Sequence, residues 1–418
     1  MPRKKLILII AAVLAVIFTV SAGGAFLVYK FVKPLISYRR PPTPPELSQP
    51  RIVVGEGFLT HSQFAETSQS SLAALDPSYI GGVEDIAVGD FDPHPGIDVV
   101  VAGRLGAMVL DRQGLKQSSI KYDFEIAQLK LGPFDAPKPR MLLGDMQIID
   151  IENDGLCEYL GRGSIDGAAV FDHQGKRLWS LEDSGDYSIT VSDLAAGDLN
   201  GDGIAEFVAS HKGIEAFDRT GKTLWHQPEK FGSHQVAVVD VDGDGKNEIV
   251  TADGDLKILD STGKELRSAD VPGYAAKLFL CARPGQKVPN LLLVEDGFVW
   301  LVDFAGETVS KFAAPLSTFN DFHEEPPLEG LTTTSVYQAK GTWVKLFQDQ
   351  PEYLAVVTEF VALDRSVLYL YSSAGALVYQ EVLPEKSSSL AVLPPEKSGE
   401  VSELLVGGSQ TVWRFRAK

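Results

Sequence analysis

Residues 240–248 read Asp240-Val-Asp-Gly-Asp-Gly-Lys-Asn-Glu248 and are followed at once by the apolar run Ile249-Val250-Thr251-Ala252. The same frame occurs twice upstream, in Asp198-Leu-Asn-Gly-Asp-Gly-Ile-Ala-Glu206 and in Asp150-Ile-Glu-Asn-Asp-Gly-Leu-Cys-Glu158. A short apolar run follows each copy and predicts a strand. A loop that recurs in one register before a strand indicates a repeated structural unit.

The oxygen-bearing side chains of these loops predict calcium sites. Calcium takes six to eight oxygen ligands, and side chains at loop positions 1, 3, 5 and 9 can converge with the carbonyl of position 7 on one point. Glycine at position 6 permits the sharp turn. Strands on both sides exclude an EF-hand, which needs helices. The alternative is a set of ordinary Asp/Asn/Gly turns. The predicted ligands are Asp150, Glu152, Asp154, Leu156 and Glu158; Asp198, Asn200, Asp202, Ile204 and Glu206; and Asp240, Asp242, Asp244, Lys246 and Glu248.

A fourth copy, Asp90-Phe-Asp-Pro-His-Pro-Gly-Ile-Asp98, departs from this pattern. It keeps the acids Asp90, Asp92 and Asp98, but His94 and Pro95 replace the usual residues at positions 5 and 6. Imidazole is a poor calcium ligand. We interpret this copy as a structural relic with, at best, a degenerate metal site.

Residues Leu194-Ala-Ala-Gly-Asp-Leu-Asn-Gly-Asp-Gly-Ile-Ala-Glu-Phe-Val208 resemble the FG-GAP, or VCBS, repeat of integrin-α-like β-propellers. The resemblance is strongest between about residues 140 and 265. It implies four-stranded blades around a central axis, with calcium in the loop that joins the first and second strands of a blade. The Phe-Gly and Gly-Ala-Pro signature that names the family is not cleanly present.

A hairpin marker follows each loop, as in Gly213-Ile-Glu-Ala-Phe-Asp-Arg-Thr-Gly-Lys-Thr-Leu-Trp225. Asp and Gly bracket a turn between two alternating segments, which predicts the outer hairpin of a blade. Seven copies, the best of them about 42 to 46 residues apart, predict an all-β, seven-bladed propeller of four-stranded antiparallel blades, with six or eight blades left open. The last copy ends before a fourth strand, so we expect the amino-terminal strand Arg51-Ile-Val-Val-Gly55 to close that blade.

The amino terminus predicts attachment to a membrane. Residues 1–5 are basic, residues 6–29 form an apolar segment that is long enough to span a bilayer, and residues 30–50 form a Pro-rich stalk before the propeller at 51–418. A cleaved signal peptide is the alternative to a transmembrane helix. Open calcium sites fill in an extracytoplasmic space, so we place the propeller there, in the periplasm or on the cell surface.

The composition narrows the class of partner. The net charge of -18 argues against nucleic acid, which requires a basic surface. The two cysteines, Cys157 and Cys281, fall in separate blades and do not predict a disulfide. The chain has no Asn-x-Ser/Thr acceptor, which favours a bacterial protein.

No catalytic constellation is present, so the sequence predicts a binding protein rather than an enzyme. We expect a membrane-tethered, calcium-binding scaffold or adhesion module with a protein partner. The insert at 315–327 supplies a candidate partner-binding loop with Phe319, Asp321, Phe322 and His323. Two alternatives are a carbohydrate-binding or lyase-like propeller and, from the Trp-bearing turns, a factor for the assembly of envelope proteins.

Overall fold

Short antiparallel strands form here because the apolar runs are brief, rich in Val and Ile, and separated by turns rich in Gly and Asp. A computed structural model describes residues 59, 63–75, 82–91, 96–123, 143–163, 167–181, 191–211, 213–228, 235–253, 255–271, 278–295, 298–314, 336–360, 365–387, 389–397 and 400–417. These residues form seven four-stranded antiparallel sheets.

The described chain begins with β1 (Phe64–Ser71) and the short helix α1 (Leu72–Leu75). Blade 1 contains β2 (Val83–Gly89), β3 (Asp98–Gly103), β4 (Gly106–Asp111) and β5 (Lys116–Lys121). Blade 2 contains β6 (Leu143–Ile149), β7 (Glu158–Gly163), β8 (Ala168–Phe171) and β9 (Arg177–Leu181). Blade 3 contains β10 (Asp193–Gly197), β11 (Glu206–Ser210), β12 (Gly213–Phe217) and β13 (Thr223–Pro228). Blade 4 contains β14 (Gln235–Val239), β15 (Glu248–Asp253), β16 (Asp255–Leu259) and β17 (Glu265–Asp270).

Blade 5 contains β18 (Phe279–Cys281), β19 (Asn290–Glu295), β20 (Phe298–Val302) and β21 (Thr308–Ala313). Blade 6 contains β22 (Val336–Val344), β23 (Tyr353–Phe360), β24 (Arg365–Tyr371) and β25 (Leu377–Leu383). Blade 7 contains β26 (Ser389–Leu393), β27 (Glu403–Gly407), β28 (Thr411–Ala417) and β1.

The blades form a ring because their apolar faces pack on one another. The first strands are innermost, and β2 contacts both β6 and β26 while β22 contacts β18 and β26. Among the described residues, the buried apolar side chains fall into seven clusters, each shared by two neighbouring blades. Central strands such as β3 and β11 are therefore buried on both faces, whereas β5 and β17 are mostly exposed. The predicted all-β, seven-bladed propeller with four-stranded blades is confirmed.

The last blade is completed from the amino-terminal side of the chain, but by a different segment from the one that the sequence predicts. β1 pairs antiparallel with β28, from Phe64 opposite Ala417 to Ser71 opposite Thr411. Phe64 is fully buried and stacks on Phe415 with ring centroids 5.7 Å apart. Phe64–Ser71 is therefore the segment that pairs with β28 and supplies the fourth strand of blade 7, the role predicted for Arg51–Gly55; residues 51–55 lie outside the described part of the chain. Phe64 is the one aromatic residue of β1, and it does not belong to an apolar run, so the sequence pattern does not reveal this strand.

The predicted membrane segment at 6–29 and the stalk at 30–50 also lie outside the described residues. Within the part of the chain that the structure describes, α1 is the one helix, and it is too short to cross a membrane.

Polar side chains link the inner strands around the axis. Asp85 on β2 accepts a hydrogen bond from the backbone N–H of Ile148 in blade 2 (3.1 Å), and Asp193 on β10 accepts one from Val236 in blade 4 (2.9 Å). Asp85 also pairs with the ammonium of Lys340 on β22 at 2.8 Å. Blades 1 and 6 are not neighbours, so this ion pair spans part of the central opening.

The predicted outer hairpins are the third and fourth strands of the blades, and their turns pack against the preceding blade. In blade 4, Asp260 accepts backbone N–H groups from Thr262 and Lys264. The indole of Trp225, on the outer strand of blade 3, donates to the Ser261 carbonyl at 2.8 Å and lies against Gly263. A Cβ at Gly263 would come within 2.9 Å of that ring, and the φ of +84° is itself unfavourable for other residues.

We predict that Gly263→Ala destabilises the protein by about 2–4 kcal/mol, because a positive φ and an overlap with Trp225 act together. Gly285→Ala is the matched control, since Gly285 has a φ of +80° with open space around it. It should cost about 1 kcal/mol from the backbone alone. The two melting temperatures measure the difference, and equal losses would mean that the contact with Trp225 contributes nothing.

Candidate metal centres

The three predicted calcium loops join the first and second strands of blades 2, 3 and 4, where the family resemblance implies them. In an antiparallel blade this loop and the turn between the third and fourth strands lie at the same end. The acidic loops and the outer turns therefore share one face of the ring.

The loop of blade 4 brings its acids together. Oxygen atoms of Asp240, Asp242 and Asp244 lie within 4.8 Å of one another. Ligands 2.3–2.6 Å from a common calcium ion span about that distance, so this arrangement fits the ion. Glu248, at position 9, is 9% exposed, and its carboxylate accepts the backbone N–H of Val241 at 3.0 Å.

The turn in this loop is built from backbone N–H groups that point at Asp240. Its two carboxylate oxygens accept hydrogen bonds from Gly243 (2.6 Å) and Gly245 (2.8 Å). Gly245 has a φ of +92°, and no neighbouring atom lies within 4 Å of the position that a Cβ would take, so the glycine is needed for its backbone conformation and not for space. Lys246, the predicted carbonyl ligand, donates its N–H to Asp244 at 2.8 Å.

The loop of blade 3 has the same framework with an amide at position 3. Asp198 accepts the N–H groups of Gly201 and Gly203, and Ile204 donates its N–H to Asp202. The Asn200 Nδ2 group donates to Glu206 at 2.7 Å and to Asp202 at 3.2 Å. The side chains at positions 3, 5 and 9 thus meet around one point.

The loop of blade 2 is more open at position 3. Asp150 accepts N–H groups from Asp154 and Gly155, and Leu156 donates its N–H to Asp154. Glu152, however, forms a 3.0 Å ion pair with Arg219 in the outer turn of blade 3. This contact engages the Glu152 carboxylate with the neighbouring blade.

The acid at position 9 has a structural role in every copy of the loop. Glu158, Glu206 and Glu248 each accept the N–H of the residue at position 2, at 2.8–3.0 Å. In the degenerate copy, Asp98 likewise accepts a hydrogen bond from the backbone N–H of Phe91 at 3.0 Å. Asp90 is exposed, and Asp92 lies outside the described residues. The degenerate copy therefore keeps the bond that shapes the loop while losing positions 5 and 6.

The acid at position 9 has a raised pKa in all three loops. Burial raises the pKa of Glu158 to about 7, and the charges of Asp154, Asp150 and Glu152 add to that rise against the opposing N–H of Ile151. Burial likewise raises the pKa of Glu206 and Glu248.

Asp240 behaves in the opposite way. Burial opposes its ionisation, but four backbone N–H groups of its own loop outweigh that effect and lower its pKa. A carboxylate that stays ionised at position 1 is suited to holding a cation.

Neighbouring loops are hydrogen-bonded to one another, which no local sequence pattern predicts. The backbone N–H of Ala205 in blade 3 donates to the Ile151 carbonyl of blade 2 at 2.9 Å. The Asn247 side chain of blade 4 donates to the Asp198 carbonyl of blade 3 at 2.9 Å. Both donors are at position 8, and only the ring geometry shows why a residue there matters.

The predicted partner-binding residues Phe319, Asp321, Phe322 and His323 lie outside the described part of the chain. Cys157 and Cys281 are both free and buried. Burial raises the pKa of each thiol to about 12, so neither is suited to nucleophilic chemistry.

Comparison with known proteins supports the fold. No protein-family model matches the chain. No curated protein matches it either. Among solved structures, the chain is similar to BBS1N, in the crystal structure of its complex with ARL6DN, with 10% identity and a TM-score of 0.50 over 85% of this chain and 97% of that one. It is also similar to Raptor from Chaetomium thermophilum, with 11% identity and a TM-score of 0.51, over 85% of this chain but only 29% of Raptor.

We predict that Glu158→Gln stabilises the protein in chelator at pH 8 by about 1–3 kcal/mol and has little effect at pH 5. The folded-state pKa of about 7 lies above the usual 4.5, so the folded chain holds this proton more tightly than the unfolded chain. The stability from that proton is present below pH 4.5 and is lost as the pH rises through 7. The Gln oxygen can still accept the N–H of Ile151.

The measurement is the melting temperature of parent and variant at both pH values, with exposed Glu265→Gln as the matched substitution outside the loops. A difference between parent and Glu158→Gln that stays constant with pH would contradict the prediction.

Proposed function

We propose that this chain is an FG-GAP-like, calcium-binding β-propeller, held on the outer side of a membrane by its amino-terminal segment. It serves as a scaffold that binds a protein partner and is not an enzyme. The observation that carries the proposal is the group of oxygens from Asp240, Asp242 and Asp244 in blade 4, in a loop that is repeated in register in blades 2 and 3.

The donor set supports calcium over a softer metal. The side-chain ligands are carboxylates and one amide, with Asp240, Asp242, Asp244 and Glu248 in blade 4 and Asp198, Asn200, Asp202 and Glu206 in blade 3. Hard oxygen donors of this kind suit calcium. We propose a weaker site in blade 2, because Glu152 is engaged by Arg219.

Calcium at these loops would stabilise the ring where blades meet. The loops are bonded to each other through Asn247 and Ala205, and they hold several carboxylates close together. A bound cation removes the repulsion between those carboxylates. Such sites fill at the calcium concentrations found outside the cytoplasm, which agrees with the proposed anchor at residues 6–29.

A rigid ring with loops on one face is a suitable platform for binding proteins. BBS1N, whose fold this chain shares, forms a complex with ARL6DN. The loop with Phe319, Asp321, Phe322 and His323 remains a proposed contact for a partner.

We predict that millimolar calcium raises the melting temperature of the full chain in detergent by several degrees relative to chelator. Each filled site adds about 2.7 kcal/mol when calcium exceeds its Kd a hundredfold. The double variant Asp202→Asn, Asp244→Asn should lose most of the rise, since it removes two ligand charges while an amide oxygen can still accept the N–H groups of Ile204 and Lys246.

The matched control is Asp218→Asn, Asp260→Asn, which makes the same changes in the outer turns of the same two blades. It should keep the full response to calcium. A calcium response that is absent from the parent, or equal in both double variants, would reject the calcium sites.

A further inference from the structure

A cleft of about 300 Å³ opens at the seam between blades 5 and 6, on the face that carries the acidic loops. One side is the loop and strand of blade 5 with Arg283 and Asn290, and the other is the outer turn of blade 6 at Ser373. Phe312 and Trp343 supply apolar surface. The residues that line this cleft include Arg283 and Lys311 and no carboxylate. The Arg283 guanidinium is paired with Glu352, and the Lys311 ammonium lies over the rings of Phe298 and Trp300.

The free edge of β21 borders this cleft. β21 is the last strand of its sheet, so one edge of it has no strand partner among the described residues. Four consecutive β21 residues, 309–312, line the cleft although alternate side chains point to opposite faces, which places the strand's own edge along it. Most of β21 is exposed, and at its far end the Ala313 carbonyl accepts a hydrogen bond from Tyr371.

One cationic side chain lies on each side of this strand edge. On the blade 6 side, the Arg283 guanidinium lies 4.7 Å from the ring centroid of Trp343 and pairs with Glu352 at 3.3 Å. On the opposite side, the Lys311 ammonium lies 3.8 Å from the ring of Phe298 and 3.9 Å from that of Trp300. Lys311 is opposite Trp300 in the strand register, which places both on the face away from Phe312.

The ring contacts position both cations, and Arg283 is in addition ion-paired with Glu352. Within the described residues, Lys311 has no carboxylate partner and lies over two aromatic rings. Two cationic groups backed by aromatic rings therefore flank one strand edge of a chain with a net charge of -18. Such cationic groups attract negatively charged side chains.

We propose that the edge of β21 binds an extended acidic segment of a protein partner, which adds to blade 5 as a fifth strand. Backbone groups of the segment pair with β21, and its side chains alternate between the two faces. Acidic side chains meet Arg283 on one face and Lys311 on the other. The proposal rests on the proposed protein-binding function and assigns it a surface distinct from the metal loops.

An unpaired edge favours a peptide over a sugar. A strand offers a row of N–H and C=O groups at the spacing of another peptide, whereas an anionic sugar would use the charges alone. The distinction is testable because removing N–H groups from a peptide abolishes strand pairing and leaves its charge unchanged.

The test uses the full chain in detergent with calcium and a fluorescent peptide of alternating Glu and Val, followed by fluorescence anisotropy. We expect Arg283→Gln and Lys311→Gln each to weaken binding about three- to fivefold, and the two together about tenfold or more. Lys264→Gln, an exposed lysine in the outer turn of blade 4, is the matched loss of charge and should leave binding unchanged. A backbone N-methylated peptide should bind poorly.

Absent binding, or binding that Lys264→Gln weakens as much as Lys311→Gln, overturns the proposal. Retained binding of the N-methylated peptide, or tighter binding of polygalacturonate fragments at the same residues, overturns it in favour of an anion or glycan site. Lys311 is exposed, so its variant should fold even if Arg283→Gln does not. The calcium-dependent rise in melting temperature separates the two hypotheses, since it persists if only this edge has been misassigned.

Discussion

The packing of apolar faces between adjacent blades is the constraint on which the rest of this structure depends. A single four-stranded sheet cannot bury both faces of its central strands, and a pair of blades still leaves two faces open. Only a closed ring gives every blade two neighbours, as the seven shared clusters demonstrate. Closure in turn requires that blade 7 have an outer strand, which β1 supplies through Phe64.

The acidic loops have a structural role in the ring in addition to offering oxygen ligands. The acid at position 9 holds the N–H of position 2 in all four copies, including the one whose positions 5 and 6 are altered. This bond fixes how the chain leaves the inner strand and enters the second one. The same framework leaves carboxylates near one another on one face, where burial and mutual repulsion raise the pKa of Glu158. A cation would relieve that repulsion.

The outer strands are packed differently from the inner strands. Each outer strand has one edge without a strand partner among the described residues. At most seams the outer turn of one blade packs on the outer strand of the preceding blade, as the turn at Gly263 packs on Trp225. At the seam of blades 5 and 6 a cleft remains, and cations backed by aromatic rings lie on both sides of β21. The acidic loops and a strand edge flanked by two cations thus occur on the same ring.

The sequence by itself determined the features that depend on local spacing. The loop frame at Asp240, the hairpin ending at Trp225 and their common period together predict the blade and its repetition, because each involves residues close in the chain. Only the tertiary structure decided which segment closes the ring, since Phe64 and Ala417 meet through a pairing that no local pattern encodes. It also decided that Glu152 pairs with Arg219, and that Arg283 and Lys311 flank one strand edge. The contacts of Glu152 with Arg219 and of Arg283 with Trp343 join different blades, and their physical basis is the geometry of the ring and not the order of the residues.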